Sequence, residues 1–358
     1  QKVWQASGHV GGFSDPLVEC SNCKNRFRAD HLVEDAIKHD QQSPTAHVHE
    51  VNDGSFQNLT ANWSVYSRNI KCPTCGKTGT LSEPRQFNMM FETNVGPVQD
   101  ENSVSYLRPE TAQGIFVNFK NVVDTLYPDL PFGIAQVGKA FRNEISPRDF
   151  TFRAREFEQM EIEYFVEPDK WEAEFEKWVK LMHQWMEAIG LPKAKVHELE
   201  VPIEDRAHYS KRTIDFEFDY PFGRKELYGL AYRSNYDLTQ HQGKSGKNLE
   251  YQPKEPGKKA FLPHVIEPSL GVDRTILAVL VSAYQQDAVE GDTRVFLKLP
   301  AELAPVRVAV SPLLKNKPEL VSKAREVYSM LKKEFGNVMY DDNGNIGKRY
   351  RRQDEIGT

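Results

Sequence analysis

Two runs of alternating side chains organise this chain. Ile134 to Phe141 reads as a strand, and Asn143 to Thr151 is turn-rich around Ser146-Pro147-Arg148-Asp149. Phe152 to Val166 then returns as a long second strand. Successive strand side chains point to opposite faces, so Met160, Ile162, Tyr164 and Val166 share one side and are expected to be core. Arg153, Arg155, Phe157, Gln159, Glu161 and Glu163 share the other. That polar face reads either as a solvated sheet surface or as a site floor, where a phosphate, a flat base and an ammonium lie in a row. Arg142 and Glu144, beside the tight loop of the facing strand, favour the site.

Elsewhere the pattern alternates between helical and strand periods. Glu83 to Phe91 reads as a strand. Pro109 and Glu110-Thr111 open a helix whose apolar stripe is Ile115, Phe119, Val122, Val123 and Leu126. Glu110 there needs no further explanation than a carboxylate at the positive end of that helix. Trp171, Phe175, Trp178, Leu181, Met182, Trp185 and Ile189 fall at helical spacing, a stripe suited to core or subunit packing rather than chemistry. Phe216 to Tyr220 and Lys225 to Ala231 read as further strands. Glu267 to Arg274 precedes an apolar helix (Ile276, Leu277, Val279, Leu280, Ala283, Tyr284), with Ser269 as its N-cap, Gly271 permitting close approach and Arg274 in its first turn. Gly243-Lys244-Ser245 ends like a phosphate-binding loop, but that motif needs Gly where Leu238 stands, and the stretch to Lys259 reads as a basic loop. From Pro305 the chain turns to a buried-type strand, Val306 to Val310, and a helix over Pro318 to Phe335. The run Lys348-Arg349-Tyr350-Arg351-Arg352 suits either RNA phosphates or a solvated basic turn.

Composition narrows the class. With 358 residues, 39% of them hydrophobic, the chain can bury a large core and hold two or more domains. The 27% charged residues are mixed in sign, which argues against long disorder, and a net charge of −5 excludes a protein that coats nucleic acid everywhere while allowing a local basic patch. No apolar run approaches a membrane span and the start carries no signal-peptide pattern, so a soluble cytoplasmic protein is expected, with no membrane partner. The chain lacks an initial Met and stops at Gly357-Thr358 without a closing element, which predicts a fragment of a longer protein.

The four cysteines form two C-x-x-C pairs, Cys20/Cys23 and Cys72/Cys75. Four thiolates are the donor set tetrahedral zinc prefers, and a closed shell of this kind is structural rather than catalytic. Disulfides fit poorly with a cytosolic composition, and free buried thiols are the remaining alternative. His39 to Trp63, between the pairs, reads as a polar, loop-rich insertion in which His47 and His49 read either as metal ligands or, more simply, as part of a solvated loop; His9 reads as a structural polar residue.

Phe141-Arg142-Asn143-Glu144 followed by Arg155-Glu156-Phe157 resembles motif 2 of class II aminoacyl-tRNA synthetases. Tyr106-Leu107-Arg108-Pro109-Glu110-Thr111-Ala112-Gln113-Gly114 and Glu267-Pro268-Ser269-Leu270-Gly271-Val272-Asp273-Arg274 resemble, more narrowly, the homodimeric type of glycyl-tRNA synthetase. The resemblance spans nearly the whole chain. One departure is Asp273, where the class motif usually carries a second Gly.

The resemblance implies an α+β fold: an antiparallel sheet flanked by helices over 1–304, a zinc-knuckle insertion over about 20–80, and the start of an α/β anticodon-binding domain over 305–358. Most of motif 1 and the second half of the C-terminal domain are expected to be absent. It implies ATP-dependent activation of glycine, transfer to tRNA(Gly), Mg²⁺ on the phosphates, and a homodimer. Arg142, Glu144 and Arg274 take the catalytic roles. The ATP site adds Asn143, Phe152, Arg153, Arg155, Phe157, Glu226, Leu227, Gly271 and Asp273. Glycine falls to Arg28, Glu110, Gln159, Glu161, Glu267 and Ser269, and zinc to Cys20, Cys23, Cys72 and Cys75. Two rivals are a class II paralogue for another amino acid and a zinc-ribbon RNA-binding protein without catalysis.

Overall fold

The computed structural model describes residues 2–40, 56–98, 100, 103–289 and 291–358. The His47 and His49 expectation lies outside the described residues. The chain divides into two compact units: Gln1–Glu176, Glu198–Asp215 and Tyr228–Asp273 form the first, and Lys177–His197, Phe216–Leu227 and Arg274–Thr358 the second.

Two short helices, α1 (Lys2–Ala6) and α2 (His9–Gly12), lead into strands β1 (Ser14–Glu19) and β2 (Arg26–Arg28) and helices α3 (Ala29–Asp40) and α4 (Phe56–Asn69). The polar insertion is therefore helical from Phe56 onward, because Leu59, Trp63 and Tyr66 recur at helical spacing and pack with Val18, Leu32 and Val33. Strand β3 (Arg85–Asn88) joins β1 and β2 in a small sheet of order β2-β1-β3, and β4 (Glu92–Asn94) pairs with β5 (Val104–Tyr106).

Helix α5 (Ala112–Leu126) precedes the central pair β6 (Phe132–Phe141) and β7 (Glu156–Val166). Helix α6 (Trp171–Ala188), β8 (Val196–Glu200), β9 (Arg212–Tyr220), β10 (Gly223–Ser234), α7 (Tyr236–Ser245), β11 (His264–Gly271) and α8 (Val272–Ala283) follow. The principal sheet has the order β6-β7-β11-β10-β9-β8, with β6–β7, β7–β11 and β11–β10 antiparallel. Helix α5 buries Ile115, Phe116 and Phe119 against Phe165, Val265 and Leu238, so the apolar stripe expected there is real, although Leu126 at its end is exposed. Gly243-Lys244-Ser245 lies in the last turn of α7, not in a loop, and Leu238 is one of that helix's buried residues.

The expected polarity of β7 is reversed. Its strand begins at Glu156 rather than Phe152, and on its Met160, Ile162, Tyr164 and Val166 face only Val166 is buried as expected, the other three being half-buried. Gln159, Glu161, Glu163 and Phe165 are the buried side, with Glu161 2% and Glu163 0% exposed. A solvated surface is thereby excluded. Carboxylates at such depth need donors or cations of their own.

In the second unit a hairpin of β12 (Tyr284–Val289) and β13 (Asp292–Leu297) precedes β14 (Val308–Val310), α9 (Pro318–Phe335) and β15 (Val338–Tyr340), which closes a parallel β-α-β unit with β14. The basic run falls in helix α10 (Ile346–Ile356), capped by the Asn345 side chain, which accepts from Lys348 N. It is neither a turn nor a uniform cationic surface. Arg349 is buried and donates to the carbonyls of Pro312, Asp342 and Gly344, while Arg352 binds Asp341 and Arg351 binds Glu355.

Candidate active site

The buried face of β7 supplies part of a buried acidic cluster in the first unit. Glu161 is gripped by four donors: Thr111 N at 2.8 Å and the Thr111 hydroxyl on Oε2, Gln159 Nε2 at 2.6 Å and Ser269 Oγ at 3.0 Å on Oε1. Thr111 precedes α5 without making a side-chain cap, since its hydroxyl is spent on Glu161. Ser269 is likewise no helix cap. It sits inside β11, directly opposite Glu161 in the antiparallel register, and that pairing aims its hydroxyl at the carboxylate. Glu110 is buried rather than exposed at a helix end; it meets His9 Nε2 at 3.3 Å and accepts from Gln113 Nε2 at 3.0 Å. His9 in turn is held by Ser7 Oγ at 2.8 Å, the structural role its sequence context suggested.

One cation stands at the centre. Arg233 is fully buried; Nη1 reaches Glu267 Oε1 at 2.7 Å, while Nε and Nη2 reach the two oxygens of Asp237 at 2.7 and 2.8 Å. Its guanidinium lies 3.7 Å from the Tyr209 ring centroid and 5.4 Å from that of Phe116. The backbone explains how a strand delivers it. The β10–β11 register shifts between Tyr232 and Ser234, leaving Arg233 as the extra residue of a bulge, and Ser234 adopts a left-handed φ of 53°. Gln113 ties the set together, donating to Asp237 at 2.9 Å and facing His241 with its oxygen at 2.7 Å.

Cations are too few for these carboxyls, and their ionisation separates accordingly. Burial pushes Glu161 up, and the neighbouring Glu110 charge adds to it. Burial and Glu267 push Glu163 well above the usual range, and neither of its oxygens has a hydrogen-bond partner among the described residues. Burial raises Glu267 to about 8 against the pull of Arg233, with Glu161 and Glu110 raising it further. Glu110 alone goes down, because His9, Arg233 and Gln113 outweigh its burial. An added cation would be held most directly by Glu267, whose Oε1 is the oxygen that Arg233 bonds.

Arg142 lies at the end of β6. Its Nε donates to Pro109 O at 3.1 Å and its guanidinium sits 5.4 Å from the Phe157 ring centroid and 5.5 Å from that of Phe13. Asn143 N donates to Met89 O at 2.7 Å. Glu144 is buried, its Oε2 3.3 Å from Arg153 Nη1 and its carbonyl accepting from Arg155 Nε at 3.1 Å. Arg28, expected beside the amino acid, is held by Asp15 and Asp30 and lies within electrostatic reach of Glu144, which puts it with this group. The Phe152 side chain is buried, as is Leu227 in the second unit, so of these two only the backbone is open to a nucleotide. Gly271 pairs with Gln159, and Asp273 Oδ2 accepts from Glu158 N at 2.9 Å, which fastens the entry of α8 to β7. That contact gives the departure from the class motif a structural use. In the second unit Arg274 Nη1 lies 3.2 Å from both Oε2 and the carbonyl of Glu226.

The two cysteine pairs form matching knuckles. Cys20 N donates to Asn25 O and Cys72 N to Lys77 O, each at 2.9 Å; the residues after the second cysteines, Lys24 and Gly76, are both left-handed. The four Sγ atoms lie within 4.8 Å of one another, with Cys20–Cys75 at 3.8 Å and Cys23–Cys72 at 3.6 Å. Zn–S bonds of about 2.3 Å in a tetrahedron put sulfurs about 3.8 Å apart, so the thiols fit zinc and are too far apart for disulfides.

With this geometry established, comparison with known proteins is specific. The class II core domain of tRNA synthetases (G, H, P, S and T) matches residues 90–283, and an anticodon-binding domain matches 307–358. A glycine–tRNA ligase of Clostridium kluyveri is 48% identical over 358 residues, covering 100% of this chain and 75% of that protein. The chain belongs to the glycine–tRNA ligase family. Within that family, the ligases of Clostridium tetani and Caldanaerobacter subterraneus subsp. tengcongensis are 49% and 47% identical over the same shares. Among solved structures, prolyl-tRNA synthetase of Giardia lamblia in complex with prolyl-adenylate superposes with a TM-score of 0.59 at 20% identity. The superposition covers 75% of this chain and 52% of that one, and shows the shared class II fold. For a glycine–tRNA ligase family member, the pocket adds residues that sequence reading passed over: Arg233, Asp237, Gln113 and Tyr209. The legible trace of Arg233 was a lone cation closing the apolar run Leu230-Ala231-Tyr232, with Asp237 four residues on; Tyr209 left none.

Proposed function

We propose that the chain catalyses the two-step charging of tRNA(Gly). The glycine carboxylate attacks the α-phosphorus of ATP, giving glycyl-adenylate and pyrophosphate, and a ribose hydroxyl at the 3′ end of the tRNA then takes the glycyl group. Family membership and the buried carboxylate pocket support this reading. Phosphoryl displacement needs positioning and charge stabilisation more than covalent help. Arg142, stacked and anchored through Nε, presents its remaining N–H groups to the α-phosphate, where charge builds in the transition state. Glu144 accepts from the adenine amino group and Phe157 stacks on the base; Arg274, in the second unit, is assigned to the nucleotide on the family resemblance. The backbone of Asn143, Phe152 and Gly271, with Arg153, Arg155 and Asp273, completes the part of the nucleotide site in the first unit; Leu227, in the second unit, is assigned to the nucleotide on the family resemblance. Mg²⁺ would supply electrostatic neutralisation of the phosphates, and Glu226 would help to hold that ion or the nucleotide.

The glycine ammonium belongs with Glu267 and Glu110, which keep acceptor capacity. Glu161, saturated by its four donors, adds charge and fixes Thr111, Gln159 and Ser269 around the pocket. Because glycine is the smallest amino acid, steric exclusion sorts it from larger competitors, where a methyl group's affinity alone is worth only about 1–3 kcal/mol. We assign Cys20, Cys23, Cys72 and Cys75 to a structural zinc ion, residues 1–304 to the catalytic body and 305–358 to the start of the tRNA-reading domain. A homodimer in the cytoplasm is the working assembly; no described helix is long and apolar enough to cross a membrane. An RNA-binding role without catalysis leaves the buried carboxylates around Arg233 without a purpose. Glycine-dependent ATP–pyrophosphate exchange tests the proposal. Exchange with glycine supports it, and exchange with another amino acid instead, or none, rejects it.

A further inference from the structure

The motif loop after β6 rests on the small sheet β2-β1-β3. Asn143 N bonds Met89 O at the end of β3, and Ser146 Oγ bonds the Arg26 carbonyl of β2 at 3.1 Å. The first cysteine knuckle is the turn of the β1–β2 hairpin, and its closure sets the register in which Arg28 stands opposite Leu17. A slip of one residue would turn Arg28 to the other face. In the observed register Arg28 Nη1 lies 2.8 Å from Asp15 Oδ2, and its Nε and Nη2 hold Asp30 at 3.1 and 2.5 Å. Asp15 Oδ2 has no contact of hydrogen-bond geometry, so the Arg28 charge is its main compensation. Arg153, on the motif loop, is bonded to Glu144 through Nη1 and lies within electrostatic reach of Asp15, whose carboxyl burial pushes up against the pull of Arg28; the buried Arg153 Nε has no partner among the described residues.

We propose that Arg28 is a positioning residue for ATP rather than a ligand of the amino acid: by holding Asp15 and Asp30, it leaves Arg153 committed to Glu144. Without the Arg28 charge, Asp15 loses its main compensation, while Arg153, within its electrostatic reach, has an unused N–H. Arg153 then turns from Glu144 to Asp15, and Glu144 loses the partner that orients it for the adenine amino group. The inference rests on the functional reading above for what Glu144 does, but the rearrangement depends only on the charges of Asp15, Arg28, Asp30, Glu144 and Arg153.

The test is a calorimetric titration of ATP into the full chain without glycine, for the parent, Arg28→Gln and Arg28→Gln/Asp15→Asn, together with glycine KM in the exchange assay. Arg28→Gln is expected to weaken ATP binding on the order of tenfold, the weight of one charge-assisted contact, with glycine KM within about twofold. Adding Asp15→Asn removes the competing carboxylate and is expected to restore ATP affinity to within about threefold of the parent, a rescue that simple loss of packing would not give. A shift in glycine KM with ATP affinity intact, or no rescue in the double variant, overturns the assignment. A parent chain that binds ATP but shows no glycine-dependent exchange refutes the functional reading, and the ATP series still decides this inference.

Discussion

Glu267→Gln isolates the charge that meets the ammonium. The substitution keeps the side chain's shape, and Arg233 stays paired through its two bonds to Asp237, so no buried guanidinium is stranded. The pocket loses one charge-assisted contact, about 1.5–3 kcal/mol, which corresponds to a rise of about 10- to 150-fold in glycine KM. The pH dependence sharpens the test. Glu267 has its pKa raised to about 8, so in the free enzyme it carries a proton across neutral pH and must release it when the ammonium binds. Glycine KM of the parent should therefore fall as pH rises from 6 to 8, at most about tenfold per unit, and flatten above 8. Glu267→Gln should abolish that slope. The stability sign runs the same way: a carboxyl whose folded pKa lies above its unfolded value stabilises fully at acid pH, and that contribution is lost as pH rises through about 8. The variant should thus melt above the parent at alkaline pH. Exchange kinetics from pH 6 to 9 with melting curves at each pH give both quantities. An unchanged KM with the parent's slope intact would refute the assignment.

Glu161→Ala removes the anchor of Thr111, Gln159 and Ser269 together, so both a higher glycine requirement and slower adenylate formation are expected; unchanged glycine-dependent exchange would count against the pocket. Arg142→Ala should slow exchange on the order of 10²–10³-fold, and Arg142→Lys should not restore it, because a compact ammonium cannot stack on Phe157 while bonding Pro109 O. Metal analysis should find one zinc per chain; stripping it should expose the β1–β2 hairpin amides to hydrogen exchange, and a chain free of zinc with those amides protected would remove the ion from the account.

The alternation in β6 and β7 was enough to single out the strands of the candidate site but not to say which face was buried. Period-2 spacing separates faces without ranking them, and apolar content ranked them wrongly: Glu161 went inside because Thr111, Gln159 and Ser269 bond it, and Glu163, with no hydrogen-bond partner among the described residues, because burial favours its uncharged form. Apart from Gln159, two residues away, those partners are distant in sequence. Ser269 looked like a helix cap for the same reason, since its pairing with Glu161 depends on the β7–β11 register rather than on neighbours in the chain. Arg233 depended on a bulge, which no composition rule marks. The cysteine knuckles were legible because their geometry is local to each C-x-x-C turn. The basic run was half legible: its charges were plain, but the use of Arg349 on three carbonyls depended on how α10 packs.

ATP–pyrophosphate exchange measured with each of the twenty amino acids in turn bears most directly on the whole account. An acidic pocket that grips an ammonium and excludes side chains predicts exchange with glycine, with alanine and serine far behind. Equal turnover of alanine, or exchange that needs no amino acid at all, would contradict it.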